Sequence, residues 1–289
     1  MAVQRPAPDA IGASSLRTPL ISIEPSGRLL SLGIGELWAY RELLYFLAWR
    51  DIKIRYKQTA IGAAWAVFQP VLTMVIFTLV FRNIANVSSD GFPYPIFALA
   101  ALLPWNLFSG ALSRSSVSVV AESNLISKVY VPRLIVPLSA TLSGLVDFAI
   151  ALAVLVVMMA WYGVTPNVHL LTLPIFLGLA LTTALGVGLW LSAINVRYRD
   201  VGYAVPFLVQ MWMFASPVAY SANAVSEKWR LLYSLNPLTG VIEGFRWALL
   251  GVERPDPRII VISAVVVTIL LVSGIVHFKR MERTFADIV

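Results

Sequence analysis

Beyond about residue 60 the chain is a succession of long apolar runs separated by short polar connections. A helix needs roughly 20 mostly apolar residues to cross about 30 Å of hydrocarbon. Only helices or closed barrels satisfy their backbone polar groups there, and these runs are too continuous for barrel strands. The pattern predicts an all-α integral membrane protein with six spans, at 62–82, 94–113, 136–160, 170–194, 203–221 and 258–278. Residues 1–40, with Pro6, Pro8, Pro19 and Pro25, hold no sustained apolar run; they predict a partly disordered cytosolic tail rather than a signal peptide. The organisation is then tail 1–40, an amphipathic helix 41–61, a six-span domain 62–280 and a short tail 281–289.

Between the apolar runs, three segments carry more than topology. In 41–57, Tyr45, Trp49, Ile52 and Tyr56 form one stripe at helical spacing, with Arg50, Lys53 and Lys57 across from it. This reads as a helix lying in the headgroups, or as a plain extension of the first span. The connection 122–131 reads as a short helix closed by Pro132. It mixes charge with exposed Leu125, Ile126, Val129 and Tyr130, which fits a docking surface or a solvated connector. In 226–250 two short helical stretches meet at Asn236-Pro237, and neither can span alone. They read as re-entrant helices or as a surface hairpin.

Charge sets the orientation. Arg50, Lys53, Arg55 and Lys57 precede the first span, Arg114, Lys128 and Arg133 follow the second, and Arg197 and Arg199 follow the fourth. Lys279, Arg280 and Arg283 end the chain, while 83–92 and 161–169 hold no Lys or Arg. The positive-inside rule puts both termini in the cytosol, although Lys228, Arg230, Arg246 and Arg254 fall on the expected outer side. The formal charge of +7 is thus a membrane signature and no pointer to nucleic acid.

Composition closes off chemistry. Apolar residues are 58% of the chain and charged residues 13%, which leaves too little polar surface for a soluble domain. With no cysteine, thiolate catalysis and Cys-based metal sites are excluded. His169 and His277 are too far apart in sequence to pair on one helix, so no metal site is expected. The dipeptide Gly-Lys of a P-loop never occurs, and HExxH and GxSxG are absent. The chain is read as no enzyme, with its energy supplied from elsewhere. Asp147 is the one carboxylate deep in a predicted span. It must face protein or water, as a hydrogen-bonding anchor to a neighbouring helix or as a functional group. Gly178, Gly186 and Gly188 read as close-packing sites. Trp65, Phe68, Trp105, Phe108 and Trp212 read either as packing aromatics or as flat rings on which a sugar polymer slides.

The run LYFLAWRDIKIRYKQTAIGAAW at 44–65, with Gln69-Pro70, LPW at 103–105, NLISKVYVPR at 124–133, NVRYRD at 195–200, SPV at 216–218 and NPL at 236–238, resembles the permease subunit of type-2 ABC exporters for polysaccharides. The O-antigen lipopolysaccharide exporters are the nearest group. The resemblance implies a homodimer with two copies of a separate ABC ATPase, which binds ATP and Mg; no cofactor is implied on this chain. It implies an undecaprenyl-diphosphate-linked polysaccharide moved across a bacterial inner membrane. It makes 122–131 the coupling helix, with Glu122, Asn124, Ser127, Lys128 and Tyr130 facing the ATPase. Arg50, Lys53, Arg55 and Lys57 become the cytosolic entrance for the lipid diphosphate. Trp65, Phe68, Trp105, Phe108 and Trp212 are the candidates for lining the channel, and Trp229, Asn236, Pro237, Glu243 and Arg246 fall in the segment that the resemblance makes the outer gate. Capsule or teichoic acid export is the alternative within this class. A membrane-embedded lipid-sugar transferase would need a carboxylate or His cluster that Asp147 alone does not supply, and a passive channel would leave the docking segment without purpose.

Overall fold

A computed structural model describes residues 34–57 and 62–288; the expected tail over 1–33 and the turn at 58–61 lie outside the described residues. The elements are α1 (Ile34–Ala39), α2 (Arg41–Lys57), α3 (Gly62–Phe77, continued by a π-helical stretch Thr78–Ile84), α4 (Tyr94–Ala121), α5 (Ser123–Lys128), α6 (Ile135–Leu142), α7 (Leu145–Trp161), α8 (Leu173–Arg197), α9 (Val201–Phe214), α10 (Glu227–Tyr233), α11 (Pro237–Leu250) and α12 (Pro257–Ile288).

Among the described residues, five helical stretches are long and apolar enough to cross a membrane: Ala64–Ile84, Tyr94–Ala121, Ile135–Trp161, Val168–Arg197 and Pro257–Phe285. The expected fifth span, 203–221, differs. Helix α9 has 14 residues, about 21 Å at 1.5 Å per residue, short of the hydrocarbon thickness. It stops at Phe214 because the chain turns through Ser216-Pro217, where the proline has no N–H to continue the ladder. Two other boundaries also shift. Helix α4 runs on to Ala121, so Arg114 lies within it and not in the connection. The third span is two helices, α6 and α7, that meet at Ser143-Gly144.

Helix α4 is the centre of the fold. Its run Ile96 to Leu103 is at most 1% exposed, because apolar residues continue around the whole helix and neighbours cover every side. Its broadest partner is α8, which in turn packs along α12. Small residues permit that approach. A Cβ on Gly186 would meet Leu270 and Leu271 backbone atoms of α12 at 2.8–3.0 Å, and one on Gly274 would overlap the Gly186 carbonyl. A Cβ on Gly188 would strike Ser115 of α4. Gly178, expected as a third close-packing site, faces open space.

Two apolar clusters result. The larger holds α4, α7, α8 and α11 together. The smaller gathers Val119, Ile126, Leu134, Val196, Phe278 and Phe285 at the other end of α4. It fixes the charged end of α12, which stays helical well past the expected span, with the Arg133 guanidinium 6.0 Å from the Phe285 ring.

Candidate functional site

At the end of α4 that carries Glu122, helix α2 lies across α6 and α3. Its outward side carries Tyr45, Phe46, Trp49, Lys53, Ile54 and Lys57, with the Tyr45 and Trp49 rings stacked at 6.3 Å and Lys53 over Trp49. Leu47 is buried. Arg50 does not sit beside Lys53 and Lys57 as its spacing suggested; it turns inward. Its Nη1 donates to Glu122 Oε2 at 3.1 Å and its Nη2 to Glu122 Oε1. Its Nε and Nη2 also hold Asp51 Oδ1 at 3.2 and 2.8 Å. A planar guanidinium against a carboxylate makes a two-point fork that fixes direction as well as distance. The Glu122 hydrogen bond is the main reason the Arg50 pKa lies above its usual value. Glu122, expected to face an ATPase, is thus engaged by α2.

The rest of the 122–130 segment divides cleanly. Ile126 is buried in the smaller cluster and Leu125 is half-buried, whereas Asn124, Ser127, Lys128, Val129 and Tyr130 are exposed. Burying Ile126 corrects the expectation of a fully exposed apolar face; the anchor it makes is what holds a six-residue helix in place.

One turn farther along α2, the Arg55 guanidinium and the Tyr56 hydroxyl both donate to Asp147 in the first turn of α7. Asp147 is therefore an anchor, and its partner is α2 rather than another span. Burial, then the Asp147 hydrogen bond, lifts the Tyr56 phenol to about 12, so it stays a proton donor at physiological pH. Arg114 reaches the same corner from α4. Its Nε donates to the Ala140 carbonyl at 3.3 Å. A Cβ on Gly110 would lie 3.1 Å from its Nη1, and one on Gly144 would overlap its Nη2. Arg55, Tyr56, Arg114 and Asp147 form one wall of a cavity of about 1200 Å³ between α3, α4 and α7, with Trp65, Phe68, Gln69 and Asn106 on the others. Sequence reasoning missed Arg114 because it counted only as a topological charge.

The other aromatics do not share the cavity. Trp105 and Phe108 are 4% and 0% exposed in the chain's own core. Trp212 is half-buried, edge-on to Phe108 at 5.0 Å. Trp105 and Phe108 thus take the packing role and not the place on a lumen: in a helix buried all round, an aromatic packs against its neighbours.

At the opposite end of α4 the expected gate residues form a tied corner. Asn236 caps α11 by accepting from the Leu238 N–H at 3.1 Å, accepts from Trp212 Nε1 at 3.0 Å, and donates to Ala215 O and Ser216 Oγ. Pro237 follows at the first helical position, where its missing N–H costs nothing. Arg246 is 0% exposed. It donates to Glu243 Oε1 at 3.0 Å, Tyr220 O at 2.9 Å and Val218 O at 2.8 Å, and its guanidinium lies 3.7 Å from the centre of the Phe97 ring. Trp229 alone stands exposed, on α10. From Phe97 to Glu122 is about 37 Å along α4, so the two charged sites lie at opposite faces of the helix layer.

A family profile described as ABC-2 type transporter matches residues 42–250. The O-antigen export system permease protein RfbA of Myxococcus xanthus is 28% identical over 256 residues, covering 88% of this chain and 98% of that protein. A protein of the same name from Klebsiella pneumoniae is 25% identical over 250 residues, covering 86% and 95%. The polysialic acid transport protein KpsM of Escherichia coli is 24% identical over 208 residues, covering 70% and 78%. The matched stretch runs from α2 through the cavity helices to α11, and the chain belongs to the ABC-2 type transporter family as a multi-pass membrane permease.

Proposed function

We propose that the chain is the membrane-spanning subunit of an ATP-driven exporter that moves a lipid-diphosphate-linked polysaccharide of the O-antigen type out across the inner membrane. Two copies pair, and two copies of a separate ABC ATPase, which bind ATP and Mg, dock on the cytosolic side. Both termini are cytosolic, with α9 and the turn after it making the sixth crossing.

The observation that carries this reading is the Arg50–Glu122 fork. It ties α2, at the mouth of the cavity, to the junction of α4 and α5. The exposed Asn124, Ser127, Lys128 and Tyr130 face the ATPase; when ATP closes the nucleotide sites, α5 moves, and the fork carries that motion into α2. The half-lumen is the α3–α4–α7 cavity, where Trp65 and Phe68, both more than half exposed, offer flat faces to sugar C–H groups. The α10–α11 corner forms the outer gate. The printed names of the Myxococcus and Klebsiella relatives support an O-antigen cargo; the KpsM likeness supports a capsular polymer as the second reading.

The test is reconstitution of the permease with its ATPase in vesicles. Lipid-linked O-polysaccharide should stimulate hydrolysis and appear outside. Lys128→Ala with Tyr130→Ala should leave folding and basal hydrolysis unchanged and abolish export. Export at the parent rate by that double variant would refute the coupling role.

A further inference from the structure

From Ile96 to Arg114, helix α4 is buried on every side except along one strip: Asn106, Ser109, Gly110, Ser113 and Arg114. The spacing is that of one helical face, and every residue in it but the glycine is polar. Asn106, Ser109, Gly110 and Arg114 line the α3–α4–α7 cavity. Gln69 lines the same cavity from α3, where it is exposed. Neither amide side chain makes a hydrogen bond among the described residues; Ser109 and Thr73 donate only to the backbone carbonyls of Asn106 and Gln69. An unpaired amide is costly to leave against hydrocarbon, so this face of α4 and Gln69 suit an occupant that forms hydrogen bonds.

The amides also sit where no charge does. Asn106 lies about 12 Å along α4 from Arg114 and about 14 Å from Phe97, midway between the two charged ends. No charged residue occurs in 58–81, 91–113 or 148–161. The charges at the α2 end of the cavity cancel, because Arg50, Arg55 and Arg114 stand against Asp51, Glu122 and Asp147. A carboxamide offers two N–H donors and a carbonyl acceptor. A sugar hydroxyl both donates and accepts, so one amide can meet it in either sense. A carboxylate only accepts. It would leave the amide oxygens without a donor and its own charge without a counter-ion, and an unmet charge at this depth is expensive.

We propose that Gln69 and Asn106 form the hydrogen-bonding step on the cargo's path and select a glycan of uncharged sugars over one of acidic sugars. Trp65 and Phe68 take the sugar C–H faces while the amides take the hydroxyls. The proposal rests on the export reading above and adds the charge class of the cargo and the two residues that read it. It separates the two cargo readings given there, because a sialic acid polymer carries a carboxylate on each sugar.

The permease with its ATPase, reconstituted in vesicles, is given two cargoes on the same polyprenyl diphosphate. One is a hexamer of α-linked glucose and the other its glucuronic acid counterpart, the same rings with C6 as an alcohol or a carboxylate. The parent should export the glucose hexamer about tenfold faster or more. Gln69→Leu with Asn106→Leu should lower glucose export about tenfold, the loss of two neutral hydrogen bonds. Gln69→Lys, which puts a cation on the exposed position, should raise glucuronic acid export several-fold and close much of the gap, a change that lost packing cannot produce. Basal hydrolysis reports that each variant assembles.

Equal export of the two hexamers by the parent would overturn the charge selection and leave the export reading intact. Unchanged glucose export in Gln69→Leu/Asn106→Leu would overturn the role of the amides. If that variant does not assemble, Gln69→Lys decides, and an unaltered ratio of the two cargoes overturns the proposal. Export of neither hexamer, with hydrolysis normal, would remove the export reading and this inference with it.

Discussion

Removing Arg246 should destabilise the protein more than any other single charge removal in the chain. Its guanidinium is fully buried and satisfies four things at once: the Glu243 carboxylate, the carbonyls of Val218 and Tyr220, and the face of Phe97. Arg246→Met fills most of the volume but leaves Glu243 buried with only the Ala222 N–H at 3.2 Å, and two carbonyls lose their donor. Stranding one member of a buried pair costs about 3–5 kcal/mol, and an unmet buried acceptor adds about 1–3 kcal/mol. These terms overlap, so the expected loss is about 4 kcal/mol. Glu243→Gln should cost less, about 1–2 kcal/mol, because an amide oxygen still accepts from Arg246. Arg246→Lys should resemble Arg246→Met, since one ammonium cannot span both carbonyls and the carboxylate. Unfolding in mixed micelles, followed by tryptophan fluorescence, measures all three. The double variant Arg246→Met/Glu243→Gln should lose less than the sum of the single losses. An Arg246→Met variant within about 1 kcal/mol of the parent, or strict additivity in the cycle, would refute the account of this corner as a single tied unit.

Other outcomes follow from the same geometry. Reversing the fork by Arg50→Glu alone should raise hydrolysis relative to export, and Arg50→Glu with Glu122→Arg should recover part of the coupling; no recovery in the pair would mean the contact is incidental. Gly274→Ala places a methyl against the Gly186 carbonyl, where only backbone movement relieves it, and should cost about 1–3 kcal/mol in the same unfolding assay. Gly178→Ala, facing open space, should be neutral or slightly stabilising through helix propensity. Gly251 caps α11 at φ +74°, so Gly251→Ala should lower stability by about 1 kcal/mol.

Some of this was legible in the residues and some was not. Long apolar runs located the starts of the five crossing-length helices to within a few residues, but not the far ends of α4 and α12 nor the shortness of α9, and the NLISK and Asn236-Pro237 segments marked the two short-helix regions. The π-helical end of α3 and the break at Ser143-Gly144 were not foreseen, since neither changes hydropathy. Arg50 was placed on the wrong side of α2 because Phe46 and Ile54 blur the stripe, and a blurred stripe has no preferred face. Trp105 and Phe108 were read as lumen candidates because lipid, lumen and protein core all accept an aromatic ring.

The sequence alone determined that the chain lies in a membrane as helices and roughly where they cross. Those facts follow from the cost of unmet backbone polar groups in hydrocarbon, which acts over short stretches of chain. Only the tertiary structure decided which charges meet. Arg50 finds Glu122 across 72 residues, and Arg55 and Tyr56 find Asp147 across more than 90. Arg114 joins them only because Gly110 and Gly144 leave room for its guanidinium. Such pairings depend on how helices pack, and in a membrane the packing is set by small residues and shape rather than by a hydrophobic face that local periodicity could reveal.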